Sequence, residues 1–293
     1  MIVVKLIGGL GNQMFQYAAG RSLAAFHKTE LLLDTSGLQT DPAGAYTARN
    51  YELGDFKIHA EISDKKDLHR FNFDAPKIIT KLKSLFPGFF KKIILNESQS
   101  HFKENFFKAP ATTYLNGYWQ DERYFSFIRE ILIKEFDLQE KSQGYKMLLD
   151  QITSSNSVSV HVRHGDYVTL KSANMFHGVL HLDYYKNAVG HFSKEDPNSV
   201  FFIFSDDLNW CKEHFNFISN VNYVDGSKLN VSSKEELVLM SHCRHNIIAN
   251  SSFSWWAAWL NKHADKEVIA PANWFNTGQK QPEGLIPNSW KRI

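Results

Sequence analysis

The chain lacks most of the features that mark a specialised class of protein. Two cysteines, Cys211 and Cys243, in 293 residues are too few for a disulfide framework and do not have metal-ligand spacing. The simple expectation is two buried thiols in a reduced, cytoplasmic protein. Charge of one sign is missing too: 33 basic against 31 acidic residues leave a net +2. That balance argues against a nucleic-acid partner, which calls for a dominant basic face. Any anionic ligand must then be held by local groups. No apolar run is long enough to span a bilayer. The apolar start at Met1–Ile7 runs into Gly8-Gly9 without a small-residue cleavage site, so it reads as a buried strand and not a leader. Neither Gly-x-Gly-x-x-Gly nor a P-loop occurs, and Asp-x-Asp and His-Glu-x-x-His are also absent, which removes the common dinucleotide, phosphate-loop and metal signatures. His177 and His181 have i,i+4 spacing but no third ligand; among 13 histidines this is coincidence, and no metal is expected.

Apolar and aromatic content is plentiful, at 43% and 14% with 23 phenylalanines, enough for two ordinary cores. Residues 2–7 read as a buried strand. A helix follows with Phe15, Ala18, Ala19, Ser22, Leu23 and Phe26 at helical spacing, then a short strand at Leu31–Asp34, so the chain opens as a βαβ unit. Residues 36–110, punctuated by prolines, predict helices with long loops. A strand over 112–118 and a helix carrying Phe125, Ile128, Ile131, Leu132 and Phe136 come next. Beyond the polar turn at Gln151–Ser157, strands at 158–162, 200–204, 221–224, 246–249 and 267–270 alternate with helices, one opened by a Ser233–Glu236 capping box. Alternation of this kind predicts parallel sheets with crossover helices. The reading gives two α/β domains, 1–152 and 153–293, with a small-molecule cleft between them. The lysine-rich apolar stretch 76–92 is a candidate for peripheral contact with the inner membrane, although an ordinary amphipathic helix explains it more simply.

The chemistry gathers where strands end. Val158, Val160 and Val162 alternate along a strand that runs into Arg163, Gly165 and Asp166. Ligands collect at the carboxyl ends of strands in open α/β sheets, and a guanidinium there can grip two phosphate oxygens. Asp166 is a candidate proton acceptor, or else it orients Arg163 or His161; His164 is a second candidate base. Asp206 and Asp207 follow the 200–204 strand, with Asp207 read as a helix cap and Asp206 as the ligand candidate. Ala249–Ser254 leaves a strand and enters a helix through serines. Ser252 or Ser254 could cap that helix and touch a phosphate oxygen. Trp255, Trp256 and Trp259 read as packing. The first glycine turn delivers Asn12 and Gln13 to a helix start, where both would project into the cleft as donor-binding residues, although Asn12 also suits a plain N-cap role.

Together, Gly8-Gly-Leu-Gly-Asn-Gln-Met-Phe-Gln-Tyr-Ala18, His161-x-Arg-x-x-Asp166, Phe204-Ser-Asp-Asp207 and Asn250-Ser-Ser-Phe-Ser-Trp-Trp256 resemble the bacterial α-1,2-fucosyltransferase family nearly end to end. The resemblance implies an α/β, GT-B-like fold of two Rossmann-like domains facing across a cleft. The N-terminal domain would be the acceptor side and the C-terminal domain the donor side. It implies transfer of fucose from GDP-fucose to a galactose-terminated glycan acceptor, with inversion and without a metal cofactor. It places Arg163 on the diphosphate, His161 and Asp206 at the guanine end, Ser252 or Ser254 on the β-phosphate, and Asn12 near the reacting sugar. The chain departs from the pattern at His164, where the family often has a second arginine. Competing readings are a GT-B transferase for another nucleotide sugar and a non-catalytic sugar- or nucleotide-binding protein.

Overall fold

The computed structural model describes residues 1–39, 48–69, 71, 93–97, 101–165, 178–275, 281 and 283–293. By internal packing the chain divides into two units, Met1–Phe136 with Glu283–Leu285, and Asp137–Pro282 with Ile286–Ile293. The division falls before the Gln151–Ser157 turn, ahead of the 152/153 boundary that the sequence predicts. The helix Gln143–Thr153 belongs to the second unit because the Ser142 N–H at its start donates to Glu235 Oε1 at 2.6 Å.

The first unit holds five parallel strands: β1 (Ile2–Lys5), β2 (Leu31–Asp34), β3 (Glu61–Ile62), β4 (Ile93–Asn96) and β5 (Thr113–Asn116), in the order β3-β2-β1-β5-β4. β1 is central, and its apolar residues Ile2, Val3 and Val4 are buried. The helix Leu10–His27 lies so close to the sheet that a Cβ at Gly20 would come within 2.8 Å of Leu31 Cδ1. It ends at Lys28 in the left-handed region, φ 51°, whose N–H closes onto Ala24 and Ala25 carbonyls. Two expectations change here. Residues 36–110 supply the edge strands β3 and β4 as well as short helices. The predicted helix around 125–136 is broken into 3₁₀ turns, Glu122–Tyr124 and Ser126–Ile128, ahead of the helix Arg129–Glu135. Asp121 caps the first of these turns, accepting from the Arg123 N–H at 2.9 Å.

The second unit has six parallel strands: β6 (Ser157–Val162), β7 (Val200–Ser205), β8 (Val221–Tyr223), β9 (His245–Ile247), β10 (Val268–Ala270) and β11 (Lys291–Arg292). Their order is β11-β10-β9-β6-β7-β8. The chain therefore lays down β6, β7 and β8 in one direction, then returns to place β9 on the other side of β6. That reversal is the topological switch point at which Rossmann-type sheets open a ligand crevice. All six β6 residues are buried, and their alternation has two partners. Val158, Val160 and Val162 pack with Tyr185, Val189 and Phe192 of the helix Leu182–Glu195. Ser159 receives the Asn246 side-chain N–H at 2.7 Å, and Asn261 donates to Asn246 Oδ1 at 2.8 Å, so the polar positions are satisfied inside the unit.

The capping box sits one residue earlier than predicted: Ser232 caps the helix Ser233–His242 and Glu235 closes the box. Glu235 is drawn to that side because its other oxygen holds Ser142. Both thiols are buried as expected, and burial pushes Cys211 up to about 11 and raises Cys243 further. The tryptophans of the helix Ser252–Leu260 are core residues, Trp255 and Trp256 fully buried. Among the described residues no helix is long and apolar enough to cross a membrane. Residues 76–92 lie outside the described residues.

Candidate active site

Strand register brings the predicted residues of the second unit to one edge. His161 pairs with Phe204 and Val162 with Ser205, so β6 and β7 end side by side and release Arg163 and Asp206 together. Arg163 Nη1 lies 3.2 Å from Asp206 Oδ2. The other Asp206 oxygen accepts the N–H groups of His164 at 2.9 Å and Gly165 at 3.2 Å. Asp206 thus engages both its oxygens in fixing the turn after β6 and the guanidinium that leaves it. Its geometry is that of a residue that positions Arg163, with little left over for a ligand.

His161 faces away from the valine side of β6, with its ring centroid 5.5 Å from that of Phe253. It is 5% exposed, and Nδ1 has no hydrogen-bond partner among the described residues. Burial, reinforced by the Arg163 charge, pulls its pKa down to about 3, so the ring is neutral at physiological pH. A buried, neutral, unpartnered ring nitrogen beside a guanidinium is a ligand-seeking group.

Across the switch point, β9 leads into the helix Ser252–Leu260. Ser251 is the N-cap, accepting from the Phe253 N–H at 3.4 Å. The two predicted serines part company here. Ser254 is fully buried and its hydroxyl turns back to the Ser251 carbonyl at 3.3 Å. Ser252 is half-buried, and no described residue bonds its hydroxyl. Ser252 and the first-turn amides are the groups at this helix start suited to an anion.

Asp207 caps the helix Leu208–His214 as expected, accepting from Trp210 N–H at 3.0 Å. That bond, together with His164, holds its carboxyl below the usual range. His164 Nδ1 is 3.0 Å from Asp207 Oδ2, and its ring stacks on Trp210, centroids 4.2 Å apart. Asp166 lies outside the described residues, as does His177. His181 caps the helix Leu182–Glu195.

One group at this edge escaped the sequence reading. Glu236, freed from the capping box by Glu235, lies against Gly226, just past β8; a Cβ on Gly226 would collide with Glu236 Oε1. Burial and the nearby Asp225 charge push its carboxyl up to about 7. The signal was two consecutive glutamates at a helix start, of which only one can close the box. The folded state binds a proton here between about pH 4.5 and pH 7 that the unfolded chain has released, so this group costs stability as pH rises through that window. Glu236→Gln is expected to raise the unfolding free energy at pH 8 by about 1–3 kcal/mol and to leave it unchanged at pH 4.5. Urea melts at the two pH values check this, and an equal change at both would remove the assignment.

In the first unit, Gly8 at φ +77° turns the chain after β1 and brings Asn12 and Gln13 to the switch between β1 and β5. The helix N-cap is Gly9, so Asn12 is not the cap. Its side-chain oxygen accepts from Gln120 Nε2 at 2.8 Å. Gln13 is fully buried. It donates to the Gly8 and Asn50 carbonyls and accepts from the Glu52 N–H, so its amide is used up within the unit. Among the described residues, His191, Glu195 and Glu267 form the one acidic–histidine group compact enough for a cation. It lies at the amino end of β10, at the opposite edge of the sheet, and Lys291 Nζ sits 3.2 Å from His191 Nδ1.

Two parallel Rossmann-type sheets, one with a strand-end guanidinium and an anion-suited helix start at its switch point, define an α/β fold of the GT-B glycosyltransferase class. A mutant of FUT1 from Arabidopsis thaliana, solved in complex with GDP, shares the fold at TM-score 0.54 and 10% identity, over 99% of this chain and 75% of that one. Residues 50–293 match Glycosyl transferase family 11, and the chain belongs to that family. It is 34% identical to an alpha-1,2-colitosyltransferase of Escherichia coli, over 100% of this chain and 99% of that protein. It is also 34% identical to the O-antigen biosynthesis glycosyltransferase WbnK of Escherichia coli, over 97% and 98% respectively. The chain is a glycosyltransferase.

Proposed function

We propose that this enzyme transfers L-fucose from GDP-β-L-fucose to the 2-hydroxyl of a terminal galactose, inverting the anomeric centre and using no metal. The observation that carries the reading is that Arg163, held by Asp206, leaves β6 at the same sheet edge from which Ser252 and the amides of its helix follow the neighbouring β9. Cleavage of the glycosyl–phosphate bond leaves negative charge on the β-phosphate. A fixed guanidinium, a hydroxyl and helix-end dipoles supply compensating charge in place, and preorganised charge of this kind is usually the largest catalytic term. His161 Nδ1 and the Glu236 carboxyl provide acceptors at the base end, where guanine presents ring and amino N–H donors. Asn12, anchored by Gln120, is assigned to the sugar. Asp166 is kept as proton acceptor for the attacking galactose hydroxyl, which approaches from the face opposite the leaving group. The motif resemblance points to fucose. The relative named for colitose favours a second donor, since colitose is fucose without its 3-hydroxyl.

Incubating the enzyme with either donor and a panel of galactosides, with and without EDTA, tests the proposal. The expected result is an α-1,2-linked fucosyl product whose rate is the same with chelator. Discrimination of about 10⁴ between the two donors is expected only if the site hydrogen-bonds the 3-hydroxyl. Activity lost to EDTA and restored by manganese, or a product formed only from another nucleotide sugar, would overturn it. Peripheral attachment to the inner membrane belongs to the same proposal and predicts co-sedimentation with anionic vesicles.

A further inference from the structure

We propose that His164, in its protonated form, is a second cationic contact for the donor diphosphate, so that donor binding draws a proton onto its ring. The inference rests on the nucleotide-sugar reading above and adds a residue and a proton to it. His164 follows Arg163 directly, and its own N–H is pinned to Asp206 Oδ1 at 2.9 Å, so the ring starts from a fixed point at the β6 edge. Its Nδ1 side is taken by Asp207 at 3.0 Å, and the ring is held flat against Trp210 with an interplanar angle of 14°. The Asp207 carboxylate is itself tied to the Trp210 N–H and stays ionised. A histidine that gives Nδ1–H to a carboxylate carries its lone pair on Nε2 when neutral, and no described residue occupies Nε2. A phosphate oxygen is repelled by that lone pair and accepts a hydrogen bond from the same atom once protonated.

Charge at the edge favours the second state. Among the described residues, the groups near His164 are Arg163 and Asp206 at the strand ends, Asp207 at the helix cap, and His214, which also stacks on Trp210, at 4.6 Å. With His164 neutral, Arg163, Asp206, Asp207 and His164 sum to one negative charge, a poor seat for a pyrophosphate. With His164 protonated the sum is zero, and the indole face beneath the ring stabilises the cation. His161 stays neutral throughout and does not compete for the proton.

Titration calorimetry of the wild-type enzyme with GDP-fucose, without acceptor, from pH 6 to pH 8 and in two buffers of different ionisation heat, tests this. The pyrophosphate of a nucleotide sugar does not titrate in that range, so any proton taken up belongs to the protein. The wild type is expected to take up a fraction of a proton at pH 7 and to lose affinity toward pH 8, by at most about tenfold per pH unit for a single linked proton. His164→Gln is expected to bind more weakly at pH 6 with no proton uptake, and His164→Arg to bind with pH-independent affinity. If His164→Gln fails to fold, His164→Arg decides: wild-type pH dependence retained in that variant overturns the proposal. Proton uptake that survives His164→Gln and vanishes in Glu236→Gln assigns the proton elsewhere and also overturns it. Wild-type binding with no proton uptake overturns the proposal and leaves the nucleotide-sugar reading intact, whereas no saturable binding at any pH removes both.

Discussion

Arg163→Ala is expected to lower kcat by about 10²–10³, the loss seen when one preorganised donor to a developing oxyanion is removed. Arg163→Lys is expected to lose at least about thirtyfold, or about 2 kcal/mol of transition-state stabilisation. Lysine keeps the charge but not the planar fork that, on the proposed function, would grip two phosphate oxygens while Nη1 stays with Asp206. The loss should fall mainly on kcat, because charge on the β-phosphate grows as the glycosyl bond breaks. Asp206→Asn should act in the same direction and more weakly, since it loosens the guanidinium and the His164–Gly165 turn without removing either. Steady-state kinetics on protein of unchanged melting temperature check this. Near-normal turnover in Arg163→Lys would detach Arg163 from the leaving group and with it the metal-free mechanism.

Glu135→Ala is expected to destabilise the first unit by about 3 kcal/mol, enough to threaten folding near physiological temperature. Glu135 is almost fully buried and is the meeting point of two long-range contacts. Arg21 Nε donates to it at 2.9 Å, and the Tyr17 hydroxyl donates at 2.6 Å. These contacts tie the helix Leu10–His27 to the helix Arg129–Glu135 across more than a hundred residues of sequence. Removing the carboxylate strands a guanidinium and a buried phenol, whose own ionisation is suppressed by burial and by Glu135. Glu135→Gln should cost less, because the amide oxygen still accepts one bond. Denaturant midpoints for the two variants test the order, and equal, negligible shifts would show that the pair contributes only geometry.

Much of the second unit was legible in the sequence because β6, β7, β9 and β10 are short and largely buried, and each is followed by a turn. The motif residues could be placed at strand ends from that pattern alone, and Arg163, Asp206 and Ser252 do lie at one sheet edge. What the sequence hid was set by tertiary contacts. β3 and β11 have two residues each and take their conformation from a neighbouring strand. Ser232 and Ser233 both precede a glutamate by three positions, and only the pull of Ser142 on Glu235 decides between them. Periodicity across 122–135 is helical, but the Asp121 cap and its bond to Arg123 wind the first turns as 3₁₀. Ser252 and Ser254 look alike in sequence; which one faces outward depends on Ser251 being the cap, and that phase is set by where β9 ends. The His164–Asp207 pair joins residues 43 apart in sequence and is visible only once β6 and β7 are in register.

β6 is hydrogen-bonded on both sides, to β7 along its whole length and to β9 from Val158 to Val160. Arg163 therefore leaves a strand paired on both sides, while the serine helix arrives from the strand next door. The arginine's position is set by the register of β6 with β7 and by the Asp206 contact that this register creates. On the proposed function, substitutions that retune which sugar is carried, or which glycan receives it, can accumulate elsewhere without disturbing the contact offered to the leaving group.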